Sequence, residues 1–545
     1  MKNAKSVVLV IMDGVGIGAG GEGDAVKRAY TPTLDMLTAT CPNTKLKAHG
    51  TAVGLPTDDD MGNSEVGHNA LGCGQIYSQG AKLVNESIEN GKIYHSETWQ
   101  KLISGCTANG SKLHFIGLLS DGNVHSNIAH LDSMLAQAKQ DGVKTARVHI
   151  LLDGRDVPAT SALQYVDALE AHLATLSDTS YDARIASGGG RMKITMDRYQ
   201  ADWDMVKAGW ETHVCGKGRQ FATAREAIET YRNELGVIDQ DLPAFVIAKN
   251  GAPVGTIDDG DSVILFNFRG DRAIEISMAF DAPDFRYFKK EKNPKVLYAG
   301  MLEYDGDLKL PARYLVNPPH ITHTLSELLV AHGVKQYAVS ETQKYGHVTY
   351  FWNGNRSGKT SEELEIFEEI HSDPGDFDRR PWMKSADITD KIIAAIESGK
   401  YGFIRANFPN GDMVGHTGIY QAVICSMEGM DIQLGRIHKA AEEAGAVLLI
   451  TADHGNSDDM YEHDKKTGAV SLKADGTPKA KTSHSLNPVP CIIFDPAYQG
   501  EYERDNHEKA LKEGLGISSI AATCMELLGF KAPDDYDPSV LKFFK

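Results

Sequence analysis

Asp13, the pair Asp412 and His416, the adjacent Asp453 and His454, and His484 make a mixed set of carboxylates and imidazoles. Such a set suits borderline divalent ions such as Mn²⁺, Zn²⁺ or Co²⁺ better than Ca²⁺, which prefers oxygen ligands alone. Singly, an Asp-Gly or Asp-His pair is a turn or a helix cap as readily as a ligand. Several such pairs at strand ends favour the ligand reading. A second candidate is Met61-Gly62-Asn63-Ser64-Glu65-Val66-Gly67-His68-Asn69, where small residues around Ser64 let backbone amides approach a phosphate. By itself this segment fits an N-cap serine as well as a nucleophile at a helix N-terminus. Metal ligands nearby give the second reading a mechanism, because coordination lowers the hydroxyl pKa.

Arg155, Arg191, Arg198, Arg269 and Arg272 lie in polar, Gly-rich settings. Guanidinium forks match carboxylate and phosphate geometry, so several together would bind a small molecule bearing both groups, whereas each alone is also an ordinary surface ion pair. Asp121-Gly122-Asn123-Val124-His125-Ser126 and Asp156 supply a histidine and a carboxylate outside the metal set. A reaction moving protons between two substrate hydroxyls needs such groups; a loop histidine satisfied by hydrogen bonds is the alternative for His125. Gly16-x-Gly18-x-x-Gly21 formally matches a dinucleotide fingerprint, but it runs on to Pro32 without a clear helix start and carries no cofactor expectation.

Short apolar runs position these residues: Val7 to Met12, Leu113 to Leu119, Val148 to Leu152, Phe245 to Ala248, Val263 to Phe266, Val296 to Met301, Tyr337 to Val339 and Val447 to Ile450. They alternate with helical periodicity, as strands buried on both faces do in α/β layers with largely parallel sheets. The polar motifs follow these runs directly, where open α/β sheets bind ligands. A chain of 545 residues exceeds what one core supports, so two or more domains are expected. The net charge of -18 disfavours non-specific binding to nucleic acid or an anionic membrane and leaves room for a small anionic substrate met by local positive charge. Seven scattered cysteines without a Cys-x-x-Cys pair read as reduced cytosolic thiols. The first apolar run reads as a strand rather than a signal peptide, and no segment reaches the ~18 apolar residues of a membrane helix. The stretches from Ser372 to Arg380 and from Lys465 to Lys481 read as solvated loops.

In this order, the motifs resemble those of the cofactor-independent phosphoglycerate mutases, a branch of the alkaline phosphatase superfamily, over nearly the whole chain. The resemblance is carried by Gly62 to Asn69, Leu152-Asp153-Gly154-Arg155-Asp156, Asp412-Met413-Val414-Gly415-His416-Thr417-Gly418, Thr451-Ala452-Asp453-His454-Gly455-Asn456 and Thr482-Ser483-His484. Longer spacings between Arg191 and Arg198 and ahead of Asp412 resemble the form found in trypanosomatids and plants. The resemblance implies an α/β fold of two domains: a discontinuous alkaline-phosphatase-like core at 1–78 and 311–545, and an inserted α/β substrate-binding domain at 79–310, with the site in the cleft between them and a hinge at the connections. It further implies two divalent ions, Mn²⁺ or Co²⁺, one on Asp412, His416 and His484 and another on Asp13, Ser64, Asp453 and His454. Lys344 would contact the phosphoryl group, and His125, Arg155, Asp156, Arg191, Arg198, Arg269 and Arg272 the glycerate portion. Ser64 would carry the phosphoryl group between 3-phosphoglycerate and 2-phosphoglycerate, with Asp156 as acid and base and His125 assisting, in a cytoplasmic monomer. The rivals are a phosphatase or sulfatase of the same superfamily, a phosphopentomutase, whose nucleophile is a threonine, and a metal-binding scaffold, which would lack a ligand.

Overall fold

Six apolar residues form the strand Val7–Met12, and all six are buried because helices cover both faces of its sheet. The computed structural model describes residues 6–197, 202–305, 309–317, 319, 321–464, 467–473, 475–498 and 511–542. Arg198 and the loop residues Lys465 and Lys466 lie outside them. The chain divides into two compact units, one made of 1–79 and 320–545, the other of 80–319. The return to the first unit comes later than the expected break after Leu310. Leu315 and Val316 belong to the second unit's core, and residues 313–315 bridge to its strand Leu297–Gly300.

The first unit is built on a seven-stranded sheet ordered Glu365–Ile370, Gln336–Glu341, Phe403–Phe408, Val7–Met12, Val447–Thr451, Val489–Phe494, Asn43–Leu46. The first five pair in parallel; the last two join by antiparallel pairing. The second unit has its own sheet, with Leu297–Gly300, Ser262–Leu265, Leu113–Leu118, Thr145–Leu152 and Asp182–Gly190 side by side in parallel. Phe245–Lys249 and Arg219–Phe221 extend it beyond Asp182–Gly190. Both layers are therefore α/β.

Several strands escape a search for apolar runs, and two of them show the physical reason. Phe403–Phe408 carries Arg405, which is fully buried and partnered in part: its Nε donates to the Val348 carbonyl at 2.9 Å, its Nη1 to Gln336 Oε1 at 3.2 Å, and its guanidinium lies 5.1 Å over the Trp352 ring, while Nη2 has no hydrogen-bond partner among the described residues. Asp182–Gly190 ends in three glycines that pack against neighbours; a Cβ at Gly190 would lie 2.2 Å from the Gln240 carbonyl oxygen. No helix among the described residues is long and apolar enough to cross a membrane. All seven cysteines are free thiols.

The glycine motif at Gly16, Gly18 and Gly21 has a structural role. Gly16 N–H donates to Asp458 Oδ1 at 3.1 Å and Gly20 N–H to Asp24 Oδ2 at 3.0 Å, and only the four-residue helix Ala25–Arg28 follows. Carboxylates hold amides that a pyrophosphate would need.

Candidate active site

In the first unit, four neighbouring parallel strands each deliver polar residues at the carboxyl end. Asp13 follows Val7–Met12, Lys344 follows Gln336–Glu341, Asp412 lies in the short helix Asn410–Gly415 after Phe403–Phe408, and Asp453 and His454 follow Val447–Thr451. His484 comes from the loop before Val489–Phe494. Gly14, at φ +75°, lets the Asp13 segment cross the Asp412 backbone; a Cβ there would lie 2.6 Å from Asp412 N.

Ser64 is the first residue of the helix Ser64–Cys73, but it does not cap it. Asn63 does, its side chain accepting from the Glu65 and Val66 amides at 3.0 and 3.1 Å. The Ser64 hydroxyl is therefore spent elsewhere: Oγ lies 3.1 Å from Asp13 Oδ1, 2.9 Å from His454 Nε2 and 2.5 Å from Lys344 Nζ. Gly67 allows this approach, since a Cβ there would lie 2.8 Å from the Asp453 carbonyl oxygen.

Asp13, Asp412 and Asp453 are each at most 3% exposed, a cost that only paired positive charge offsets. Lys344 Nζ supplies it, 3.1 Å from Asp13 Oδ1 and 2.7 Å from Asp412 Oδ2. Burial opposes the ammonium charge, yet Asp13, Asp412 and Asp453 outweigh it and hold the Lys344 pKa above its ordinary value. Burial, with Asp453 nearby, pushes Asp13 up. Burial also acts against Asp412, but Lys344 and His416 keep its carboxyl well below the usual range.

The donor set fits a divalent cation. Asp412, His454 and His484 bring ligand atoms within 4.8 Å of one another, as do Asp13, Asp453 and His454. His416, on the exposed rim, places Nε2 3.1 Å from Asp412 Oδ1 and 3.2 Å from His484 Nε2. Three imidazoles turn Nδ1 to main-chain carbonyls: His416 to Thr482 at 2.6 Å, His484 to Gly62 at 2.7 Å and His454 to Gly455 at 3.2 Å. Each then carries its proton on Nδ1 and directs the Nε2 lone pair into the cluster, the arrangement of a metal-ligating histidine. Burial pushes His484 down to about 4, which keeps that lone pair available at neutral pH.

A second layer was not singled out from the sequence, although His68 lies inside the serine motif. His68 Nδ1 faces Ser64 O at 2.9 Å and Asp453 Oδ2 at 3.2 Å, so its Nε2 accepts from Asn407 Nδ2 at 3.0 Å. Asn407 Nδ2 also donates to Asp13 Oδ2 at 2.6 Å, and Asn456 Nδ2 to Asp412 Oδ1 at 3.3 Å. The available signal was spacing: His68 is one helical turn after Ser64, and Asn407 is an amide in a buried strand.

The second unit gathers its own set at the carboxyl ends of adjacent strands. Asp153, after Thr145–Leu152, accepts at Oδ1 from the Arg155 and Asp156 amides at 3.1 and 3.0 Å and at Oδ2 from Ser120 Oγ at 2.6 Å. Arg191, only 1% exposed, joins this turn by donating to Asp153 Oδ1 at 2.9 Å and to Asp156 Oδ2. His125 Nδ1 lies 3.6 Å from Asp271 Oδ1, which Arg269 Nε approaches at 3.2 Å, and Arg272 Nη1 donates to the Met196 carbonyl at 2.6 Å. Burial drives His125 well below its ordinary pKa, and Arg191, Arg269 and Arg272 add to the effect against Asp271. Burial raises Asp156, which Arg191 opposes. Arg155 lies exposed on the turn. Within this unit the structure thus joins His125, Asp156, Arg191, Arg269 and Arg272 into one cationic cluster, in which Arg191 Nε is buried without a hydrogen-bond partner.

The class of protein follows from comparison with known families: the model of the metalloenzyme superfamily matches residues 5–532. At 51% identity, the chain is similar to the 2,3-bisphosphoglycerate-independent phosphoglycerate mutase of Trypanosoma brucei brucei, over 99% of this chain and 97% of that protein. It is 46% identical to mutase 1 of the same kind from Arabidopsis thaliana, over 99% and 97%. A crystal structure of Leishmania mexicana phosphoglycerate mutase at low cobalt concentration matches with a TM-score of 0.82 and 48% identity, covering 100% of this chain and 98% of that one. The chain belongs to the 2,3-bisphosphoglycerate-independent phosphoglycerate mutases, metal-binding isomerases of the metalloenzyme superfamily.

The second layer carries its own expectation. Asn407→Leu frees both Asp13 Oδ2 and His68 Nε2 and should weaken divalent metal affinity by about 10–100-fold. Titration calorimetry with Mn²⁺ measures it; unchanged affinity would show that Asn407 does not orient the ligands.

Proposed function

We propose that this enzyme interconverts 3-phosphoglycerate and 2-phosphoglycerate through a phosphoserine on Ser64, without bisphosphoglycerate. The observation that carries the reading is the Ser64 hydroxyl held at once by Lys344 Nζ, Asp13 Oδ1 and His454 Nε2. A serine so placed can pass its proton to Asp13 Oδ1 as it attacks, take it back when it is released, and keep a fixed line of attack. Two divalent ions, Mn²⁺ or Co²⁺, held by Asp412, His416 and His484 and by Asp13, Ser64, Asp453 and His454, would supply Lewis-acid stabilisation of phosphoryl and serine oxygens.

The residues do the rest. Ser64 Oγ attacks the phosphorus, the bond to the substrate's 3-oxygen breaks, and Asp156 in its acid form protonates that oxygen. The 2-hydroxyl then loses its proton to Asp156 and attacks the phosphoserine, releasing Ser64. Lys344 offsets charge on the transferring group, and His125 assists at the glycerate hydroxyls. Arg155, Arg191, Arg198, Arg269 and Arg272 hold the glycerate carboxylate and the phosphoryl group so that glycerate turns without leaving. Phosphoserine must be kept from water, since hydrolysis would make the enzyme a phosphatase. The reading extends to a cytoplasmic monomer acting on a small molecule, with the net charge of -18 disfavouring polyanionic partners.

Purified protein should convert 3-phosphoglycerate to 2-phosphoglycerate with no bisphosphoglycerate added, lose the activity to a chelator and regain it with Mn²⁺ or Co²⁺. Ser64→Ala should abolish conversion; residual mutase activity in that variant, or release of inorganic phosphate in place of 2-phosphoglycerate, refutes the reading.

The raised Asp156 pKa sets a second outcome. Asp156 must begin protonated to serve the departing 3-oxygen, so kcat/KM for 3-phosphoglycerate should fall as pH rises through a value above that of an exposed aspartate. Arg191→Gln removes the main group opposing that rise, so this alkaline limb should move further up in pH; a limb that stays put would place the acid elsewhere.

A further inference from the structure

Three histidines of the second unit belong to none of the groups above. His114, His149 and His213 are at most 1% exposed, and buried imidazoles must find partners for both nitrogens. They do so in a single file that runs across the sheet. His114 Nε2 lies 3.0 Å from Asp261 Oδ2 and His114 Nδ1 2.9 Å from His149 Nε2. His149 Nδ1 lies 2.7 Å from Ser187 Oγ, Ser187 Oγ 2.8 Å from His213 Nδ1, and His213 Nε2 3.0 Å from Thr195 Oγ1. A bulge between Val148 and His149 sets His149 opposite Ser187 in the strand pairing.

Chemistry fixes the direction of every bond in the file. A carboxylate only accepts, and Asp261 is held in that form by the Lys112 and Asp258 amides, both at 2.8 Å, and by Lys112 Nζ at 3.2 Å. His114 therefore donates to Asp261, and each neutral imidazole, with one donor and one acceptor, passes the polarity on. At the far end, the Thr195 hydroxyl donates to His213. Burial pushes His213 down to about 3, and His114 and His149 fall with it, so all three stay neutral as the file requires.

Thr195 is where this order is spent. Its φ is +70°, a region that β-branched residues avoid, and Met196 N–H donates to the Ile194 carbonyl at 2.7 Å to close a three-residue turn around it. Gly209 leaves the room; a Cβ there would lie 2.1 Å from Thr195 Oγ1. Such a conformation is strained and persists only where its surroundings impose it. Directly after the turn, the Met196 carbonyl accepts from Arg272, and Arg191 opens the same loop.

We infer that Thr195 and His213 are positioning residues for the substrate-binding arginines: the file anchored on Asp261 holds the left-handed turn, and the turn sets the carbonyl that fixes the Arg272 guanidinium. The inference rests on the reading of Arg272 as a substrate ligand. Thr195→Val keeps the branch and the volume but removes the donor, so the turn should relax and the Met196 carbonyl shift.

In the metal-loaded enzyme, Thr195→Val should raise KM for 3-phosphoglycerate about tenfold while kcat changes less than about threefold, since orientation of a binding group is lost and the reacting groups are untouched. His213→Phe, which removes the acceptor, should give the same split and add little in the double variant. Thr195→Ser should restore the wild-type KM, and Thr195→Gly, free to adopt positive φ without an anchor, should stay within about threefold of it. Arg272→Lys is measured beside them. A raised KM in Arg272→Lys with none in Thr195→Val or His213→Phe overturns the positioning role alone; no rise in any of the three overturns the substrate role of Arg272. A Thr195→Gly enzyme as impaired as Thr195→Val would show that the hydroxyl does not act by holding the turn.

Discussion

Burial of three carboxylates at one point is the constraint on which the first unit depends. Asp13, Asp412 and Asp453 lie at most 3% exposed, and carboxylates taken out of water without compensation would protonate or unfold the site. Compensation comes from the Lys344 ammonium and from the side-chain amides of Asn407 and Asn456, which donate to Asp13 and Asp412. The same balance of charge leaves Ser64 beside the strongest local cation with its hydroxyl proton hydrogen-bonded away. Stability and reactivity are thus two aspects of one electrostatic arrangement.

A parallel sheet is the means of meeting that constraint. Four adjacent strands end at one edge, so residues from the beginning, middle and end of the chain converge without long loops. Backbones must then approach closely, which is why Gly14 faces Asp412 and Gly67 faces Asp453. Asn407 and His68 complete the arrangement by holding Asp13 and Asp453 from behind. The second unit repeats the plan with opposite charge: Arg191, Arg269 and Arg272 gather about His125, while Asp153 and Asp156 keep Arg191 oriented. A net charge of -18 is no obstacle to binding an anion when local guanidinium groups are concentrated in this way.

Much of this was legible in one dimension, for reasons that differ from residue to residue. Val7–Met12 and Val447–Thr451 read as buried strands because their apolar runs are uninterrupted, and Asp13 and Asp453 read as site residues because they end those runs. Phe403–Phe408 did not, because Arg405 and Asn407 are polar side chains whose hydrogen-bond partners are distant in sequence. The Ser64 segment was ambiguous between cap and nucleophile until Asn63 was seen to take the cap. His114, His149 and His213 had no local signal at all, since lone histidines in strands and helices are unremarkable until their rings meet.

The sequence by itself determined the donor types, their order, and the alternation of apolar strands with helices, since composition and periodicity are local properties. It also specified which residues could ligate a metal, because only carboxylates and imidazoles of that kind supply such a set. Tertiary structure alone decided that Lys344 neutralises Asp13 and Asp412, that Asn63 rather than Ser64 caps the helix, that the second unit extends to Pro319, and that a file of histidines reaches Thr195. Each of these depends on distances between residues far apart in the chain, and hydrogen bonds and ion pairs fall away within a few ångströms, so only the folded packing can create them.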